Sequence, residues 1–161
     1  MRQLTAPRGT AQRGFTLIEV MVAIAIAALL VVQGLPAYAN YMANSRLREG
    51  ANVVVAGLVF ARSEAIKRNH PVRVTIAAQR LVAAQIDGTV TTVLRSFELP
   101  ATLQAPAFAA NFDSTGRPAP FGTDVTLALS SADRPCSADL RCPSIHIEAG
   151  GAVSLCRSGA C

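Results

Sequence analysis

Glu19 is a carboxylate placed where it has almost nothing to ionise against. It is the fifth residue of the apolar run Phe15–Val32, and an ionised side chain at a bilayer centre costs about 2.5–3.5 kcal/mol on insertion scales. A charge kept at that cost needs a cation or a set of donors to meet it. One source is local. Thr16 and Glu19 stand at the Ser/Thr-x-x-Glu spacing of a capping box, which would satisfy free N–H groups at the start of a helix. A second source is a cation brought by an adjacent helix in the membrane. The two do not exclude each other.

Four cysteines are the other groups with chemistry to offer: Cys136, Cys142, Cys156 and Cys161. In a domain exported to an oxidising compartment an even number reads as two disulfides, and three connectivities are open. Short loops favour Cys136–Cys142 with Cys156–Cys161, and a cross-strand Cys142–Cys156 pair stays possible. The C-x5-C and C-x4-C spacings are not those of zinc sites, so no metal is expected. His70 abuts Pro71 and reads as surface; His146 lies between Ile145 and Ile147 and should face away from a core. Nothing in the spacing joins either histidine to a serine or a carboxylate. There is no phosphate loop, dinucleotide fingerprint or H-E-x-x-H. No cofactor is expected, and the chain does not read as an enzyme.

The elements that would carry these groups follow a simple order. Arg2, Arg8 and Arg13, with no acid, precede Gly14, and the apolar run is long enough for one membrane helix. By the positive-inside rule the cationic end stays in the cytoplasm and the rest of the chain lies in the periplasm, anchored in the inner membrane by a single pass. A cut secretory signal would have a shorter apolar core and a small-residue site. Pro36-Ala37-Tyr38-Ala39 is a poor one. The formal charge of +5 is partly a topology signal: three of the 15 basic side chains and none of the 10 acids lie before Gly14, which leaves +2. Pro36 should bend the helix. Beyond it, Leu47, Ala51, Val54, Leu58, Ala61 and Ala65 recur at steps of four and three, one face of an amphipathic helix that stops at Asn69-His70-Pro71.

After Pro71 the pattern alternates. Strands are expected over Val72–Ile76, Leu81–Ile86, Thr89–Phe97, Val125–Leu129, Ser144–Glu148 and Ala152–Cys156, with Asp87-Gly88 and Gly150-Gly151 as hairpin turns. The stretch from Pro100 to Pro120, Ala101–Ala110 above all, reads as loop. The fold class is α+β: a long N-terminal helix, membrane half and domain half, packed against an antiparallel sheet.

The layout from Arg2 to Val32, with Gly14-Phe15-Thr16-Leu17-Ile18-Glu19 at its centre, resembles the N-terminus of type IV pilin-like proteins. The resemblance implies a leader (1–14) removed after Gly14 by prepilin peptidase and a methylated N-terminus at Phe15. It implies that Glu19 pairs with the N-terminal amine of a neighbouring subunit during assembly. The remaining segments would be a filament-core helix (15–36), its amphipathic continuation (37–70) and a periplasmic domain (71–161). Ala61–Asn69, Phe112–Pro118 and the hairpin Ile145–Cys156 resemble the GspH/FimT-type minor pilins more narrowly. Partners would then be other minor and major pilins, or pseudopilins in a type II secretion system. The cysteines and Arg62-Ser63-Glu64-Ala65 favour the pilus. Some FimT-like proteins contact DNA through Gly-Arg-x-Arg in the last hairpin; here the place reads Gly151-Ala152-Val153-Ser154, so DNA is not expected as the main partner. Arg134, Arg141 and Arg157 remain as candidates for phosphate contact.

Overall fold

The computed structural model describes residues 14–157. The chain divides into two compact units, Met1–Tyr38 and Ala39–Cys161. One helix, α1 (Leu17–Arg68), supplies the described part of the first and opens the second, with Pro36 inside it. In the first unit every described residue is solvent-exposed, as an apolar helix with no protein around it must be.

The end of α1 is built by its last residues. Asn69 adopts φ 55°, its N–H donates to the Ile66 carbonyl, and the His70 N–H donates to the Ala65 carbonyl. This pair of bonds closes the free carbonyls with a left-handed residue at the end, asparagine taking the place usually held by glycine. Pro71 then forbids continuation.

Ten strands follow among the described residues: β1 (Val72–Ala77), β2 (Arg80–Asp87), β3 (Val90–Glu98), β4 (Leu103–Gln104), β5 (Phe108–Phe112), β6 (Pro118–Ala119), β7 (Val125–Ala128), β8 (Ser130–Ser131), β9 (Ser144–Ile147) and β10 (Val153–Cys156). They form three antiparallel sheets, β3-β2-β1-β5-β6, β10-β9-β7 and β4-β8. The six expected strands are present with ends shifted by a few residues. The α+β class holds, with the antiparallel strands divided among three sheets. One expectation fails: the supposed loop 100–120 holds β4, β5 and β6. β5 is central, since Val72, Val74 and Ile76 of β1 face Phe112, Ala110 and Phe108 in register. Its alternation is hidden because two alanines and an asparagine form its middle and prolines stand on both sides of it. A further turn went unread: Ala78 and Gln79, both at positive φ, close the β1–β2 hairpin without glycine or asparagine. Gln79 is held there because its side-chain amide donates to the carbonyls of Pro100 and Leu103.

The core lies wholly in the second unit. Leu47, Ala51, Val54, Leu58, Ala61 and Ala65 of α1 are buried against Val72, Val74, Leu81, Leu103, Phe112, Ile145 and Ile147. Between the apolar positions stand Gly50 and Gly57. A Cβ at Gly57 would lie 2.7 Å from Leu81 Cδ2, and one at Gly50 would lie 3.1 Å from Leu103 Cδ2. Glycine inside a helix costs about 1 kcal/mol relative to alanine. Here it lets the buried leucines lie on the helix backbone.

A second close approach joins the turn before β6 to the last hairpin. Asp113 Oδ1 accepts from the backbone N–H of Thr115, the Thr115 hydroxyl and the backbone N–H of Arg117. Gly116 and Gly151 both take positive φ, and a Cβ on Gly151 would fall 2.1 Å from the Gly116 carbonyl oxygen. Burial pushes the Asp113 carboxyl up, but the bonds from Thr115 and Arg117 outweigh it and hold the group below its ordinary value. Glu64, buried on α1, is likewise held low, chiefly by the bond from Arg68 Nε at 2.6 Å.

Gly57→Leu is expected to lower the unfolding free energy by about 1–3 kcal/mol, as overpacking does. Thermal unfolding of the full chain in neutral detergent measures it, with Gly34→Leu, where a Cβ meets nothing within 4 Å, expected to be neutral. Because the folded-state values of Asp113 and Glu64 are depressed, the stability they give is present above the unfolded carboxylate range and is lost as pH falls through the lower folded values. The melting temperature should therefore fall on acidification below about pH 4, and Asp113→Asn should flatten that acid limb. An unchanged slope would refute the role of the turn.

Candidate functional site

Two regions carry the groups singled out by the sequence, and each belongs to one unit. In the first, Thr16 Oγ1 accepts the Glu19 N–H at 3.3 Å, so the local cap forms. The returning half of a capping box is missing among the described residues: the Glu19 carboxylate has no hydrogen bond or ion pair there. Phe15 is 80% exposed and the large apolar residues from Leu17 to Val32 are exposed with it. By length and composition this is a helix able to cross a membrane. The charge of Glu19 is thus unmet among the described residues.

The second region is the end of the domain where α1 enters it. Cys136 and Cys142 are joined, closing a short loop and leaving neither free for Cys156. Cys156 is itself disulfide-bonded, and Cys161 lies outside the described residues. The closed loop is fastened to α1 by polar contacts. Asn44 Nδ2 donates to the carbonyls of Asn40 at 2.9 Å and Asp139 at 2.7 Å, while Asn44 Oδ1 accepts the Arg141 N–H at 2.9 Å. Arg134 Nη1 donates to Asn40 Oδ1 at 2.9 Å, and its Nη2 reaches the Ala39 carbonyl.

The three arginines are thus not equivalent. Arg134 spends its guanidinium on the helix. Arg141 is fixed through its backbone and keeps its side chain exposed, and Arg157 is exposed beside Cys156. Asn40 and Asn44 were not anticipated from sequence. An asparagine pair one helical turn apart on a face otherwise read as solvated was the available signal.

The two histidines differ in their surroundings. His70 follows the helix cap, exposed. His146 faces off the core, its Nδ1 3.2 Å from Thr126 Oγ1 and its Nε2 3.9 Å from Asp124 Oδ2. Among the described residues no group of three His, Cys, Asp or Glu side chains could hold a metal ion.

Comparison with known proteins matches both regions. Residues 9–32 match the prokaryotic N-terminal methylation motif, and residues 50–157 match the type II transport protein GspH model. The fimbrial protein EcpC of Eikenella corrodens is 50% identical over 42 residues, 26% of this chain and 28% of that protein. The prepilin peptidase-dependent protein D of Escherichia coli K12 is 55% identical over 38 residues, 24% of this chain and 26% of that one. The matched stretches therefore span only about a quarter of these relatives. The crystal structure of the type IV minor pilin FimU of Pseudomonas aeruginosa superposes with a TM-score of 0.58 at 20% identity, covering 71% of this chain and 91% of that one, a likeness of fold. With well over half of its residues matched to the GspH model, the chain belongs to the GspH family of type IV pilin-like proteins, the minor pilins and pseudopilins.

Proposed function

We propose that this protein is a minor pilin, an assembly subunit of a type IV pilus. Prepilin peptidase would cut after Gly14, Phe15 would be N-methylated, and a single-pass helix would hold the domain on the periplasmic side of the inner membrane until the subunit enters the filament. The observation that carries this reading is the exposed apolar segment of α1 with a carboxylate at its start that has no partner among the described residues. In lipid or among packed helices, an ionised Glu19 is tolerated only if a cation meets it. The new amine of an adjacent subunit has the right charge at the right end of the helix. The name of the Escherichia coli relative, a protein dependent on prepilin peptidase, supports the processing step. The second disulfide is read as Cys156–Cys161, which would tie the end of the chain to β10.

A second reading has its own support. The family model carries the description of a type II transport protein, so the same architecture could serve as a minor pseudopilin in protein secretion. DNA uptake has less behind it: the paired arginines of the hairpin are absent and Arg134 is engaged with Asn40.

Glu19→Ala should leave processing and membrane insertion intact, with intact mass beginning at methylated Phe15, while the subunit disappears from sheared filaments. Normal incorporation would sink the pairing argument. A clean deletion in the native host, scored for surface pili and secreted hydrolases together, separates the machines. Loss of pili with normal secretion is expected; the reverse would make the protein a pseudopilin.

A further inference from the structure

Beside the closed loop Cys136–Cys142, two recesses meet. A groove of about 1140 Å³ is lined by Leu129, Leu140 and Ser144 among others, and a cleft of about 460 Å³ reaches Asn44 and Arg48 on α1. They share Ala138, Arg141, Pro143 and Arg157. Two features of this place have no use among the described residues.

The first is charge. Arg48, Arg141 and Arg157 are exposed, and none has an ion pair or side-chain hydrogen bond among the described residues. The second is preorganisation. Asn44 and the disulfide fix the backbone that carries Arg141, so its guanidinium is presented from a rigid base and less ordering is needed to use it.

From this we infer that the recess is a docking site for an extended, carboxylate-bearing peptide segment of a partner protein. Arg141 and Arg157 take the carboxylate, arginine being the side chain whose fork matches it. Ala105, Pro106 and Ala128, which line the groove and keep accessible surface, cover an aliphatic neighbour. Charge complementarity selects this occupant. A free anion would use one end and leave the apolar length of the groove empty. Nucleic acid fits less well, because no aromatic side chain lines either recess for a base to stack on. The site goes beyond the assembly reading and does not rest on it, since binding is measured without a filament.

The test uses the full chain in neutral detergent and fluorescence anisotropy. The probe is a fluorescein-labelled hexapeptide, Gly-Glu-Leu-Glu-Leu-Gly, set against its Gln-for-Glu counterpart and labelled oligo-dT. The acidic peptide should bind about tenfold or more tightly than the neutral one, and the double variant Arg141→Gln/Arg157→Gln should lose about the same factor, as removal of a charge-assisted hydrogen bond gives. Both arginines are exposed, so the variant should keep its circular dichroism and melting temperature. Equal binding of the two peptides, or of the two proteins, overturns the inference. Tighter binding of oligo-dT overturns it in favour of nucleic acid, and full displacement by millimolar inorganic phosphate makes the recess a free-anion site.

Discussion

The domain depends on how closely its sheets press on one helix. Gly50 and Gly57, with Ala51, Ala61 and Ala65 on the same buried face, leave α1 without bulk there, and Leu103 and Leu81 fill the space. Everything after Pro71 is arranged around that contact. β1 and β2 bring Leu81 to the helix, β5 pairs with the other edge of β1, and Leu103, the first residue of β4, is held by the amide of Gln79. The helix sacrifices intrinsic propensity at two positions, and the close packing of buried leucines offsets it, each removing roughly 1.5–3 kcal/mol of apolar surface from water.

A second layer of restraint is polar and sits at the far end of the same contact. Asn44 reads three backbone groups at once, and Arg134 two more oxygens, so a segment more than ninety residues later in the chain is held to the opening turns of the domain. The disulfide shortens the loop that must be ordered to make those contacts, which lowers the entropy lost in fixing it. The same fastening leaves Arg141 with its side chain outward. One set of bonds thus fixes the loop and sets the electrostatics of the surface it forms.

Much of this was legible in the sequence where the physics is periodic or chemical. The buried face of α1 was named residue by residue, because a 3.6-residue period survives even when half its members are alanines. Asn69-His70-Pro71 gave the helix end, and the GspH resemblance gave the family. What escaped was structure carried by long-range partners. β5 is strand-like only beside β1; alone, Phe108-Ala109-Ala110-Asn111-Phe112 between prolines looks like a linker. Ala78-Gln79 closes a turn with no turn residue because Gln79 is tied down from two sides. Gly50 and Gly57 read as weak points of a helix until the leucines that need them are known. The surface arginines were seen as one class, and only the asparagines of α1 divide them.

The first half of α1 obeys a different energy balance. A helix passing from lipid into a bundle of like helices gains little from the hydrophobic effect, since both surroundings are apolar. Cohesion must come from close packing and from polar groups that find partners. The run Phe15–Val32 carries both means: Ala23, Ala25, Ala27 and Ala28 let backbones approach, and Glu19 is its one charged side chain. Dispersion between alanine-lined helices tolerates sliding by a turn, whereas a carboxylate in hydrocarbon does not tolerate losing its cation. In the proposed filament the alanines would therefore set how tightly helices pack and Glu19 which register they choose. A neutral, isosteric glutamine there would keep the packing and blur the register, a different defect from the loss of a subunit.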